Sequence, residues 1–133
     1  MSAPIAEFAN DPRDFALADA LAAGEPLVIR GLCRDWPLVQ AAKRSFGEFA
    51  QAVAALDNGA PVDVLRMPPE AEGVVGYNAA LDGFNYQHFK VGVTEALQRL
   101  AAYSRTNGAV PGLALQSALV SECLPGFLAT HPM

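Results

Sequence analysis

Residues 26–39 read PLVIRGLCRDWPLV, and the two halves of this segment differ in character. Its first half is a short apolar run with β-branched residues, which is typical of a buried strand. Gly31 then allows a sharp turn, since glycine adopts backbone conformations that other residues avoid. The charged corner that follows ends in Asp35, Trp36 and Pro37, and Trp36 is the single tryptophan of the chain. We therefore expect a strand that leaves the core at Gly31 and a corner at which Trp36 packs.

Length, composition and charge limit the classes of protein to which this chain can belong. Its 133 residues fit one domain, and 52% of them are hydrophobic, which is enough to bury a sizeable core. The formal net charge is -5, and the nine lysines and arginines are scattered along the sequence. A nucleic-acid surface needs such residues in a cluster. We therefore expect a single domain over residues 1–133 with no nucleic-acid partner.

The sequence carries neither an export signal nor a membrane segment that we recognise. The N-terminal residues lack the basic start and the long apolar run of a signal peptide. No stretch approaches the roughly 20 apolar residues that cross a bilayer. We therefore expect a cytoplasmic protein with no membrane partner, in which Cys33 and Cys123 are free thiols. Arg30 and Arg34 flank Cys33 and favour a reactive thiol, whereas an ordinary half-buried thiol is the alternative interpretation.

Helix and strand signals alternate along the chain. Asp11 is followed by proline and begins a helix that Gly24 ends. Ser45 and Glu48 have the spacing of a capping box, so a second helix begins there, and Gly59 lies just beyond its end. These signals predict helices on both sides of the PLVIRGL strand.

Strand signals dominate after the second helix. The apolar segments 62–67 and 74–78 flank a proline-rich turn and predict a hairpin. Residues 81–89 predict an aromatic strand or an extended loop, and residues 113–119 predict a further strand. A helix is expected from residue 93, and the chain should end in a short helical turn and a loop. The coarse result is an α+β fold, a sheet with flanking helices.

This order of segments resembles the cupin-like, JmjC-type domain family. The opening signature of that family is matched by six residues: Pro26, Arg30, Gly31, Asp35, Trp36 and Pro37. SFGEFAQAVA, GYN, FNYQHF, VTEALQRL, LALQS and LPGFLATHP then follow in the family's order, so the resemblance covers nearly the whole chain. It implies the N-terminal portion of a double-stranded β-helix, or jelly roll, with flanking helices. It also implies that the Trp-Pro corner packs over the sheet.

The resemblance implies chemistry that uses Fe(II), 2-oxoglutarate and O₂, as in the hypoxia-pathway asparaginyl hydroxylase. Family members hold the iron with a His-x-Asp pair and a later histidine, which leaves coordination positions for the oxoacid and oxygen. His88 and His131 are the two histidines here, and neither is followed two residues later by Asp or Glu. We therefore expect no catalytic residue, metal ligand or bound cofactor in this chain, which we interpret as truncated before the metal-binding strand. His88 is then a polar residue of a half-exposed strand, and His131 is a loop residue.

The segment LALQS bears on the binding of the oxoacid. Hypoxia-type members often begin this strand with a tyrosine whose hydroxyl contacts 2-oxoglutarate, and Ala114 stands at the matching position. A methyl group cannot donate that hydrogen bond, so either the oxoacid is held differently in the complete protein or the protein is not a 2-oxoglutarate enzyme. The resemblance implies that Gln116 points into a substrate pocket, because it stands where the family's strand carries a polar side chain. The alternative interpretation is a glutamine on the solvent side of the strand.

Two further groups of side chains have ordinary explanations. The glutamates of the turn 68–73 are expected to be solvated charges. Tyr77, Phe84, Tyr86 and Phe89 could line a pocket, although aromatic residues at this density are more often found in a core.

Two hypotheses of function follow from the sequence. In the first, the chain is the N-terminal part of a cupin-like oxygenase of the hydroxylase or demethylase type, inactive in isolation, with a protein or small-molecule substrate. In the second, it is a non-catalytic cupin-like binding or oligomerisation module. A β-helix that lacks its later strands leaves open sheet edges, which favour a homo-oligomer.

Overall fold

The computed structural model describes residues 4–132. Its strands are β1 (Ala6–Glu7), β2 (Leu27–Val28), β3 (Val62–Met67), β4 (Gln87–Val91) and β5 (Gly112–Gln116). Its α-helices are α1 (Leu17–Ala23), α2 (Pro37–Arg44), α3 (Phe46–Leu56), α4 (Val93–Tyr103), α5 (Val120–Cys123) and α6 (Phe127–Thr130). This mixture of helices and strands confirms the predicted α+β class. No helix in the described part of the chain is long and apolar enough to span a membrane.

The main sheet has three antiparallel strands in the order β4-β3-β5. Val64 of the central strand lies opposite Phe89 of β4 and Leu115 of β5, so these side chains share one face. That face packs against α3 and α4 and forms the core with the short helix α5. The buried residues of this core are Val53, Val62, Val64, Val93, Ala96, Cys123 and Leu124.

The predicted hairpin between residues 62–67 and 74–78 is wrong. β3 pairs with β4 and β5 instead, and residues 74–78 lie in the long connection that follows β3. The physical reason lies in the side-chain pattern. β4 offers Phe89 and Val91 at alternate positions toward the helices, whereas Val74 and Val75 are exposed.

The PLVIRGL segment is also less regular than predicted. Only Leu27–Val28 is a strand, and it pairs in parallel with Ala6–Glu7 rather than joining the main sheet. Both of its residues are half-buried. Arg30 follows this strand and binds the Glu7 carboxylate through Nε at 2.9 Å and Nη2 at 2.7 Å. The expected turn at Gly31 is confirmed, because its φ of 78° lies in the left-handed region.

The capping box is half formed. The Ser45 hydroxyl accepts a hydrogen bond from the Glu48 amide at 3.1 Å, which caps α3 as predicted. The Glu48 carboxylate does not reach back to Ser45, since it pairs with Arg44 at the end of α2. The Ser45 cap thus separates two helices that follow each other directly in the chain.

Asp57, just after α3, caps the first turn of α4. Its carboxylate accepts from the backbone amides of Thr94 and Gly59, each at 2.8 Å. The residue before α4 is Gly92, which has no side chain for this purpose. Burial raises the pKa of Asp57, but the hydrogen bonds from Thr94 and Gly59 outweigh it and hold the pKa below its ordinary value of 3.8. The charged carboxylate therefore stabilises the fold.

The variant Asp57→Ala is expected to lower the free energy of unfolding by about 0.5–2 kcal/mol at neutral pH, as for other helix caps. Because the folded-state pKa is lowered, the native protein has this contribution above about pH 4 and loses it as the pH falls further. The difference between native protein and variant should thus shrink below about pH 4. Urea titrations across pH test this. The exposed Glu25→Ala is the control, and an equal pH-dependent loss there would contradict the assignment.

Candidate functional site

The sheet has a second face, which carries the side chains of Asp63 and Leu65 from β3. Strand alternation places these residues opposite Val62 and Val64, which point toward the helices. The register puts Gln116 beside Asp63 and Ala114 beside Leu65. The two residues singled out on LALQS therefore lie on the same face, two residues apart on β5.

One end of the second face is polar. Lys90 of β4 and Gln116 of β5 flank Asp63 on β3, so these three residues form a row across the sheet. Lys90 Nζ lies 3.8 Å from Asp63 Oδ1, and both side chains are partly exposed. Such an ion pair contributes little to stability, about 0–1 kcal/mol. Gln116 is exposed at the end of β5, and its role in a pocket stays a prediction.

His88 lies in the next row of the second face, across Leu65 from Ala114. It is exposed on β4, and its ring meets the ring of Tyr86 edge-on with the centroids 5.3 Å apart. The prediction of a polar residue on a half-exposed strand is confirmed. The methyl group of Ala114 offers no hydrogen-bond donor to this row.

His131 lies outside the helices and strands, which confirms the predicted loop position. It follows α6 and is buried, with 1% of its surface exposed. Its Nε2 accepts from the Leu38 amide in the first turn of α2 at 3.1 Å. Its Nδ1 lies 2.9 Å from the carbonyl oxygen of Phe127 and 2.9 Å from the hydroxyl oxygen of Thr130. These contacts fit a neutral imidazole with its proton on Nδ1, and they occupy both ring nitrogens.

Trp36 holds the C-terminal segment against the start of α2. Its Nε1 donates to the carbonyl oxygen of Pro132 at 3.0 Å. Its ring meets Phe127 and His131 edge-on, each with the centroids 5.5 Å apart. Phe127 and His131 stack on each other at 4.2 Å. The sequence predicted a corner that packs over the sheet, but the aromatic contacts of Trp36 join it to residues about 95 positions away. We call Trp36, Phe127 and His131 the aromatic clasp.

The histidines of the chain do not fit an iron site. Among residues 4–132, no three His, Cys, Asp or Glu side chains converge in a way that could hold a metal. His131 already uses both ring nitrogens inside the fold. His88 stands on the opposite face of the sheet from the helices and lacks two further ligands nearby.

A ladder of aromatic rings extends from the second face beyond the start of β4. Tyr77 stacks on Phe84 at 5.5 Å, Phe84 stacks on Tyr86 at 5.0 Å, and Tyr86 contacts His88. An open groove of about 300 Å³ beside the ladder includes Arg66 in its lining. The expectation that such aromatics belong to the core is wrong for Tyr77 and Phe84, which are mostly exposed. It is right for Phe89, which packs against the core.

The two cysteines have different environments. Both are free thiols, as predicted. Cys33 is half-buried in the turn after β2, in agreement with the ordinary interpretation of its position. Cys123 is buried in the core, and its Sγ lies 3.2 Å from the Leu119 carbonyl oxygen.

Together these features define an α+β domain whose helices cover one face of an antiparallel sheet and whose second face carries exposed polar and aromatic side chains. A family model of the cupin-like domain matches residues 12–133. The chain therefore belongs to the cupin-like domain family, as its ordered sequence segments predicted. No curated protein and no solved structure gave a match to this chain.

Proposed function

We propose that this chain forms one wall of the ligand pocket of a cupin-like oxygenase that depends on Fe(II) and 2-oxoglutarate. The reaction is of the hydroxylase or demethylase type, on a protein side chain or a small molecule. In this proposal the iron ligands lie outside residues 4–132, because His88 and His131 do not fit an iron site. The chain alone is then inactive.

The main support for the proposal is the arrangement of polar and apolar side chains on the second face. Gln116 and Lys90 place polar groups at one end of it, and its middle is apolar, with Leu65 buried and Ala114 half-buried beside it. Ligand pockets combine a mostly apolar lining with a few polar groups at fixed positions. β4 and β5 are the outer strands of the sheet, so the wall can be extended at either edge. Extension by a second copy, which would give the homo-oligomer, stays a prediction.

An anaerobic Fe(II) titration of the 133-residue chain tests the proposal, followed by an assay of succinate release with 2-oxoglutarate and O₂. We expect no stoichiometric iron binding and no succinate above the protein-free control. Tight iron binding with oxoacid-dependent succinate release, both abolished by His88→Ala, would show that the chain carries its own metal site. That result would contradict the proposal.

The same assay on the product of the whole reading frame separates the two hypotheses of function. For that product we expect succinate release. Gln116→Ala should raise the KM for 2-oxoglutarate or the KM for the substrate. Gln98→Ala is the matched control, because Gln98 is an exposed glutamine on α4, away from the second face. Absence of succinate release from that product would favour the non-catalytic binding module instead.

A further inference from the structure

The connection between β3 and β4 contains a well-braced hairpin, residues 74–85. Tyr77 and Phe84 form its antiparallel bridge. Asn85 ties its base, donating through Nδ2 to the Val74 carbonyl oxygen at 2.8 Å and accepting from the Gly76 amide at 3.0 Å. Asn78 ties its tip, donating through Nδ2 to the Asp82 carboxylate at 2.8 Å. The hairpin therefore has a defined shape although it lies outside the sheet.

The hairpin presents apolar side chains to solvent. Leu81, at its tip, is 77% exposed and has a φ of 59°, in the left-handed region that leucine rarely adopts. The Leu81 amide donates to the Asn78 carbonyl oxygen at 3.1 Å, which helps to hold this conformation. The exposed large apolar residues of the hairpin are Val74, Val75, Tyr77, Leu81 and Phe84. Exposed apolar side chains gathered on one hairpin of a folded domain mark an interaction surface.

The segment that carries this patch is negatively charged, although Arg66 lines the groove beside Phe84 and Tyr86. Residues 68–86 contain Glu70, Glu72 and Asp82 and no lysine, arginine or histidine. All three carboxylates are exposed, and within the described residues none takes part in an ion pair. The patch is therefore an apolar surface whose rim carries three exposed carboxylates, with the positive charge of Arg66 on the side of the groove.

We propose that hairpin 74–85 is a docking surface for a cationic protein segment that carries apolar side chains. Apolar contacts with Leu81 and the aromatic ladder would supply affinity, and the rim carboxylates would select positive charge. A second copy of the chain is a poorer occupant, because it carries a net charge of -5 and brings the same carboxylates. This inference is independent of the proposed oxygenase function.

Binding of labelled peptides to the 133-residue chain, followed by fluorescence anisotropy, tests the docking surface. The probe is a peptide of repeated Lys-Lys-Leu, and the comparison peptides are repeats of Glu-Glu-Leu and Lys-Lys-Ser. We expect the Lys-Lys-Leu peptide to bind at least about tenfold more tightly than either, because only it matches both the charge and the apolar patch. Added salt should weaken this binding, and Glu70→Gln with Glu72→Gln should reduce the salt dependence.

Two single variants locate the binding to the hairpin. Leu81→Asn should weaken binding about tenfold, and it should fold normally since asparagine tolerates a positive φ. Phe84→Ser should also weaken peptide binding. Leu21→Ser is the matched control on α1, where the leucine is 72% exposed, and it should leave binding unchanged.

Several results would overturn the docking proposal. They are equal binding of the Glu-Glu-Leu peptide, failure of the Lys-Lys-Leu peptide to bind, and an equal effect of Leu21→Ser. Sedimentation of the chain alone tests the other possible occupant of the hairpin, a second copy of the chain. If the native chain dimerises and Leu81→Asn makes it monomeric, the hairpin is a self-association surface and the cationic partner is wrong.

Discussion

Replacing His131 by alanine is expected to lower the free energy of unfolding by about 3–4 kcal/mol, as for loss of a large buried side chain. The variant removes a fully buried ring that stacks on Phe127 and contacts Trp36. It also leaves the Leu38 amide without its acceptor, which by itself costs about 1–3 kcal/mol when the group stays buried. Urea titration followed by circular dichroism measures the loss.

His131→Phe separates packing from hydrogen bonding in the aromatic clasp. Phenylalanine keeps a ring that can stack on Phe127 but cannot accept from the Leu38 amide, so its cost should be smaller, about 1–3 kcal/mol. His88→Ala is the matched control, because that histidine is exposed on β4, and it should cost under about 0.5 kcal/mol. Similar costs for His131→Ala and His88→Ala would rule out a structural role of the clasp.

Local signals in the sequence were sufficient to predict the helices that cover the sheet. The Ser45 hydroxyl caps α3 as its spacing with Glu48 indicates, and α4 begins at Val93 as its apolar period requires. Both signals act within one or two helical turns. A cap or an apolar face of this kind can be recognised without knowledge of the partner that it packs against.

Strand pairing could not be predicted in the same way. Residues 74–78 and 87–91 both follow β3 and both contain apolar side chains, so both were possible partners. The observed choice depends on burial, because Phe89 and Val91 of β4 reach the core beneath α3 and α4. That information is not local, since the helices on which these side chains pack lie elsewhere in the sequence.

The residues of the candidate sites also divide into those that local signals could predict and those that depend on distant contacts. The strand that carries Ala114 and Gln116 could be predicted from its apolar residues, and the structure places both on one face of β5. In contrast, nothing near His131 in the sequence indicates a contact with α2, because its partner Leu38 is 93 residues away. The exposure of Tyr77 and Phe84 could not be predicted either, because aromatic residues occur both in cores and on exposed hairpins.

Trp36→Ala is expected to lower the free energy of unfolding by about 3 kcal/mol, at the lower end of the range for tryptophan because the ring is only half-buried. The variant removes two edge-on aromatic contacts and the hydrogen bond to the Pro132 carbonyl oxygen. These contacts join the first turn of α2 to the segment after α6. Urea titration measures the loss, and near-ultraviolet circular dichroism reports whether the packing of Phe127 persists.

A double-mutant cycle tests whether Trp36 acts through the aromatic clasp. Trp36 and His131 are in direct contact, so the combined loss in Trp36→Ala/His131→Ala should differ from the sum of the single losses by about 0.5–3 kcal/mol. Trp36→Phe should restore part of the stability, since phenylalanine keeps an edge-on contact but has no donor for Pro132. A loss below about 1 kcal/mol for Trp36→Ala, far under the usual range for tryptophan, would mean that the corner does not hold the C-terminal segment. Additive losses would instead mean that Trp36 and His131 stabilise the fold independently.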